Sequence, residues 1–214
     1  SQATYLRDGE HVARTSKWMG ESDFYPHAEN AIISARPKKI VDLGSGTCGL
    51  LMRCLRQLPE AHGVGIDLNK DACSKARSIL KNEGMDKRIS VIEAPIQSLI
   101  QNPEPLEGAD IIHGGFVFHD LMPEEEATLD ALFQTFHKWA PRGTVVIVDA
   151  VPYAHNPGED AFSAALTFMH SHFMARQFPT EDGWKTKLFQ AGYNSVEVGQ
   201  LGISGGRIFT ARSV

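Results

Sequence analysis

From Lys39 to about Ala150, short apolar runs alternate with longer amphipathic stretches, and few folds accept that pattern. The apolar runs are Ile40-Val41-Asp42-Leu43, Gly63-Val64-Gly65-Ile66, Ile89-Ser90-Val91-Ile92, Asp110-Ile111-Ile112 and Thr144-Val145-Val146-Ile147-Val148. Helical spacing fills 48–58, 70–83 and 124–140 between them. Strands that take turns with helices pair in parallel through crossover connections. Such strands are covered on both faces, so they read as unbroken Val/Ile runs. Past Pro157 the pattern predicts a helix over 158–178 and another over 181–190, with Gly192 as its C-cap. Two short strands, 195–201 and 207–211, close the chain around a glycine-rich turn. The expectation is an α/β chain with a mostly parallel sheet, helices on both faces and an antiparallel hairpin at the end.

The composition narrows the partners. Of 214 residues, 21 are Lys or Arg and 26 are Asp or Glu, a net charge of −5. That balance gives no reason to expect a nucleic acid. No apolar run approaches the ~20 residues of a membrane helix, so no membrane is expected. The first residues, SQATYLRDGE, lack a signal-peptide pattern. The three cysteines, Cys48, Cys54 and Cys73, have no paired spacing, and a reducing, cytoplasmic setting is expected. The chain starts at Ser1 rather than a methionine, as an excised or processed fragment would.

The strongest local signal is Val41-Asp42-Leu43-Gly44-Ser45-Gly46-Thr47-Cys48-Gly49, between a strand and a helix. Glycines there let the backbone turn tightly and approach a ligand, and the helix N-terminus offers free N–H groups. Asp67 ends the next strand, eighteen residues past Gly49. A carboxylate there can accept both ribose hydroxyls of an adenosine. A dinucleotide or S-adenosylmethionine would both suit this arrangement.

The Asp-Leu-Gly-Ser-Gly-Thr string with Asp67 resembles the first two motifs of class I S-adenosylmethionine-dependent methyltransferases. The resemblance covers residues 38–212. Ile89-Ser90-Val91-Ile92-Glu93-Ala94-Pro95 falls where the family's third strand meets the adenine. Phe116-Val117-Phe118-His119-Asp120-Leu121, followed by Glu124-Glu125-Glu126, is similar to small-molecule O-methyltransferases, and so is the Gln190-Ala191-Gly192-Tyr193 stretch. The resemblance implies a Rossmann-like, seven-stranded sheet. It also implies a donor site of Asp42, Gly44, Ser45, Gly46, Asp67, Leu68, Ala94 and Pro95, with Gly114 and Gly115 bare beside the donor's methionine part. The family places a third glycine at position 48, where this chain has Cys48. Family members carry an N-terminal dimerisation domain of about a hundred residues. Here residues 1–37 read as a helical lid or its remnant, with Trp18, Phe24 and Tyr25 as lid residues, and 38–214 as the catalytic domain.

Nine histidines raise the question of mechanism. In the O-methyltransferases resembled, the His of the His-Asp pair is the general base, a role that falls here on His119. In a C-methylating subgroup, that His and a second one about fifty residues on bind iron or zinc. His170 and His172 follow His119 by 51 and 53 residues. Two helix positions apart means a rotation of ~200°, so only one of them can share a site with His119. Asp120 is a further ligand or the group that orients His119. The apolar stripe Phe162, Leu166, Met169, Phe173 is expected to face the core, and Phe116, Phe118, Phe162, Leu166 and Met169 to line the acceptor pocket.

The expected function is methyl transfer from S-adenosylmethionine to a small-molecule acceptor. The leading form is transfer to a carbon beside a carbonyl with a His-bound metal, and the alternative is O-methylation with His119 as base. A third possibility is a non-catalytic cofactor-binding module of a larger synthase. A carrier protein or a dimer partner fits an excised catalytic module.

Overall fold

The computed structural model describes residues 24–153 and 160–213. Trp18, His11 and His155 lie outside the described residues. The elements in chain order are α1 (Tyr25–Ser34), β1 (Lys39–Leu43), α2 (Gly49–Gln57), β2 (His62–Asp67), α3 (Lys70–Asn82), β3 (Ile89–Glu93) and β4 (Ile111–Gly115). They continue with α4 (Glu126–Trp139), β5 (Thr144–Ala150), α5 (Asp160–Phe173), α6 (Glu181–Gln190), β6 (Ser195–Gln200) and β7 (Gly206–Arg212). Between β3 and β4 run two 3₁₀ turns, Ile96–Ile100 and Glu104–Leu106, and a third, Phe118–Leu121, follows β4.

The seven strands lie in the order β3-β2-β1-β4-β5-β7-β6. The first five are parallel, and β7 runs antiparallel to both β5 and β6. The strand order reverses between β1 and β4, so the carboxyl ends of these two strands open a crevice, the usual ligand position in such sheets. Both strands are pinned at the opposite end. Asp110 Oδ2 accepts the backbone N–H groups of Lys38 and Lys39 at 2.7 and 2.9 Å.

Local chemistry sets most boundaries. Pro26 sits in the first turn of α1, where its missing N–H costs nothing and its fixed φ suits a helix start. Asn69 caps α3 by accepting Ala72 N–H at 3.0 Å, and Thr180 caps α6 by accepting Gly183 N–H at 3.0 Å. Gly192, at φ +112°, ends α6 as expected. The helix expected over 158–178 stops at Phe173. Met174 and Arg176 N–H both turn back to the His170 carbonyl, and Ala175 takes a left-handed φ of +50°.

One apolar cluster packs under α4 and α6 around Phe118, Phe133, Phe136, Trp184 and Phe209. The other packs under α1, α2 and α3 around Ile32, Leu51, Leu55 and Leu80. Trp184 is fully buried in the core, whereas Trp139 is 36% exposed. The stripe on α5 departs from expectation: Met169 and Phe173 are 54% and 48% exposed, while Ser163 and Thr167 face inward. Thr167 Oγ1 donates to the Ser163 carbonyl at 2.7 Å, which satisfies the hydroxyl inside the helix and lets a polar side chain take the buried face. No helix among the described residues is long and apolar enough to cross a membrane.

Candidate active site

The glycine loop hangs from the end of β2. The N–H groups of Gly44 and Ser45 both donate to the Ile66 carbonyl, at 2.8 and 3.1 Å. Asp67 braces the loop from beside it, accepting Gly46 N–H on Oδ2 and Asn69 N–H on Oδ1, both at 2.8 Å. A carboxylate offers about four lone-pair sites, so two remain for ligand hydroxyls. Ala94 N–H donates to the Asp67 carbonyl at 3.0 Å, which brings Ala94 and Pro95 alongside the same edge. Leu68 is exposed at the rim. Gly46 has a left-handed φ of +54°, and a Cβ built on it would meet nothing within 4 Å, so the space in front of it is open. Position 48 also needs a left-handed residue: Cys48 has φ +61° and caps α2. Its thiol is fully buried, and that burial pushes its pKa up to about 12, which removes it as a nucleophile.

At the crevice, Asp42 on β1 and His113 on β4 are register partners, and His113 Nδ1 lies 2.7 Å from Asp42 Oδ1. Both side chains are buried. The bare positions that follow differ from one another. A Cβ on Gly114 would meet the Phe118 ring at 2.4 Å, so the room there belongs to core packing. Gly115 is half-buried beside the His113 ring, whose Cε1 lies 3.3 Å from where a Cβ would sit.

His119 occupies the third 3₁₀ turn and is buried. Its Nδ1 lies 2.8 Å from Oδ1 of Asp149, a fully buried carboxylate in β5. A carboxylate only accepts, so Nδ1 carries the proton and donates it. Asp149 Oδ1 also accepts Ala150 N–H at 2.8 Å, which fixes the carboxylate. Asp120, expected as the orienting group, is 3.7 Å from His119 Nε2, on the other side of the ring and beyond hydrogen-bond range. Asp149 therefore holds His119, and sequence reasoning missed it.

Of the two later histidines, His170 joins the site. Its ring centroid is 5.4 Å from that of His119, and its Nδ1 is 2.9 Å from the Leu166 carbonyl. His172 turns away, stacking on exposed Phe168 at 5.0 Å. Phe178, also missed, packs on both imidazoles, at 4.8 Å from His119 and 4.3 Å from His170. Phe116 links the site to α1: it adopts φ +52°, a conformation rare for a bulky residue, and its ring lies 4.4 Å from Phe24. Of the residues expected to line a pocket, Phe118 is fully buried in the core and Met169 faces outward. Among the described residues, no group of three or more His, Cys, Asp or Glu side chains could hold a metal ion.

The model of the methyltransferase domain family matches residues 35–188. The chain belongs to that family. Among curated methyltransferases it resembles the release factor glutamine methyltransferase of Agrobacterium fabrum, 29% identical over 69 residues, which are 32% of this chain and 24% of that one. Among solved structures, the mitomycin 7-O-methyltransferase MmcR aligns with a TM-score of 0.75 at 16% identity, over 97% of this chain and 59% of MmcR. The pyocyanin biosynthetic protein PhzM aligns at 0.73 with 22% identity, over 97% of this chain and 60% of PhzM. PigF, solved with SAH, aligns at 0.66 with 20% identity, over 84% of this chain and 51% of PigF. The methyltransferase domain here thus spans a quarter of the curated relative and between half and three fifths of these structures.

Proposed function

We propose that the protein transfers a methyl group from S-adenosylmethionine to a hydroxyl oxygen of a small, largely apolar acceptor, with His119 as general base. The observation that carries this reading is the 2.8 Å contact between His119 Nδ1 and Asp149 Oδ1, both buried. That contact leaves the basic lone pair on Nε2, on the far side of the ring from Asp149, and a nearby carboxylate stabilises the imidazolium that forms. As the acceptor oxygen attacks the sulfonium methyl, the C–S bond breaks, the C–O bond forms, and the hydroxyl proton passes to Nε2. The donor is already activated, so the protein's work is alignment and proton removal. In this reading Asp67 takes the ribose hydroxyls, Gly46 leaves room for the donor, and Phe178 and His170 bound the acceptor. MmcR, a mitomycin 7-O-methyltransferase of the same fold, fits an oxygen acceptor.

A second reading, transfer to an activated carbon, draws on the pairing of His119 with His170. Each imidazole has Nδ1 committed, one to a carboxylate and the other to a backbone carbonyl, as metal-binding histidines commonly do. Two imidazoles suit iron or zinc, with the acceptor and water completing the sphere, and such a metal would polarise a 2-oxo acid toward its enolate. Elemental analysis after growth with iron and zinc separates the readings. General-base catalysis predicts no stoichiometric metal and a ~10²–10⁴-fold loss of turnover in His119→Ala with donor affinity intact. The metal reading predicts roughly one ion per chain, lost in both His119→Ala and His170→Ala and kept in His172→Ala.

A further inference from the structure

His113 is a polar residue in an otherwise apolar strand, Ile111-Ile112-His113-Gly114-Gly115, and the proton transfer described above does not use it. It is only 5% exposed, and its Nε2 has no hydrogen-bond partner among the described residues. A buried polar atom left unsatisfied is unfavourable, and such atoms are few in native proteins. The other ring nitrogen offsets that cost. Nδ1 faces Asp42 Oδ1 at 2.7 Å, so it carries the proton and donates it to the carboxylate. Asp42 is itself 4% exposed, and a carboxylate so buried needs a hydrogen-bond donor to satisfy and orient it. The pair sits at the carboxyl ends of β1 and β4, where the strand order reverses, and Asp42 is two residues ahead of Gly44 in the glycine loop. Gly115, bare and half-buried, follows on the same face of β4.

We propose that His113 is a positioning residue for the methyl donor: through its Nδ1–H it holds the Asp42 carboxylate in place to receive the ammonium group of the donor's methionine end. The inference rests on the reading of S-adenosylmethionine as donor. An ammonium ion calls for a fixed anionic acceptor, and Asp42 is the carboxylate that the crevice between β1 and β4 supplies. The unpartnered Nε2 indicates that the polar role of this side chain is exercised through Nδ1.

The test compares two ligands that differ in the amino-acid end. S-adenosylhomocysteine carries it, and 5′-methylthioadenosine lacks it. Binding of both to the full chain is measured by calorimetry, with thermal melts as a folding control. His113→Leu and His113→Gln remove a donor at the Nδ1 position, whereas His113→Asn places an amide N–H there. The expected result is that Leu and Gln weaken S-adenosylhomocysteine by ~10-fold or more, as loss of a hydrogen bond to a charged group does. Asn should stay within about threefold of the parent chain, and methylthioadenosine should bind all four proteins alike. If Leu does not fold, the Gln and Asn pair decides the matter. Equal losses for both ligands, unchanged binding of S-adenosylhomocysteine, or an Asn variant as weak as Gln would each overturn the proposal. A parent chain that binds methylthioadenosine as tightly as S-adenosylhomocysteine would overturn it while sparing the donor reading. A parent chain that binds neither would remove the donor reading, and the proposal with it.

Discussion

Asp149 and His119 are thirty residues apart in sequence, yet Oδ1 of one lies 2.8 Å from Nδ1 of the other at the end of the sheet. The contact fixes the imidazole's tautomer as well as its orientation. In Asp149→Asn the side-chain amide can donate to Nδ1, which moves the ring proton to Nε2 and removes the basic lone pair from the acceptor side. Turnover should fall by ~10²–10⁴-fold, while calorimetric affinity for S-adenosylhomocysteine stays at the parent value. Unimpaired turnover in this variant would exclude His119 as the base.

The donor end makes a separate prediction, because Asp67 and Gly46 face each other across one hydrogen bond of 2.8 Å. Asp67→Ala loses the charged acceptor for the ribose hydroxyls and also frees the Gly46 N–H. Donor affinity should drop by ~1–3 kcal/mol. Gly46→Val should be worse: a β-branched residue is strained at φ +54°, and its side chain would fill the open space before the loop. Titration with S-adenosylhomocysteine measures both, and parent-like affinity in either variant would contradict the donor site.

The sheet was legible because strands covered on both faces leave a one-dimensional signature of unbroken Val/Ile runs, and all five parallel strands fall on those runs. The apolar run at β4 stops at Ile112, since His113 and the two glycines carry no apolar signal, yet the strand continues through Gly114 and Gly115. Gly114 is tolerated there because the Phe118 ring takes the space of its side chain. Asp149 was missed for the opposite reason. It sits inside the most apolar strand of the chain, and its partner comes from another loop, so no spacing rule reports it. The available signal was the carboxylate itself, since a charge in a strand buried on both faces requires a partner. The helix argument left room for only one of His170 and His172 beside His119, but choosing between them required the geometry of α5.

Packing beneath the glycine loop is tight enough to test by overpacking. A Cβ on Gly65 would lie 2.7 Å from both Cys48 Sγ and Ser45 Oγ. Gly65→Ala should therefore lower stability by ~1–3 kcal/mol, measured by urea unfolding. Adding Cys48→Ala removes one of the two collisions, so the double variant should recover part of the loss that the single change incurs. Strict additivity of the two changes would show that these side chains do not meet.

The buried thiols are expected to weaken the fold as pH rises above 9. Burial, the largest influence on each, raises Cys48 and Cys54 from an ordinary value near 9 to about 12. In the unfolded chain both thiols ionise near pH 9, while in the folded chain they hold their protons until about pH 12. The folded state thus binds more protons across this window, and stability falls as pH rises through it. Their contribution is fully present below pH 9 and shrinks by about 1.4 kcal/mol per thiol for each pH unit above it. Urea midpoints measured from pH 7 to 11 should be level at first and then decline. Cys48→Ala and Cys54→Ala should each lower the neutral plateau, since each leaves a small cavity, yet each should flatten the decline above pH 9. Curves that stay parallel to the parent's over the whole range would show that the thiols do not govern the alkaline limb.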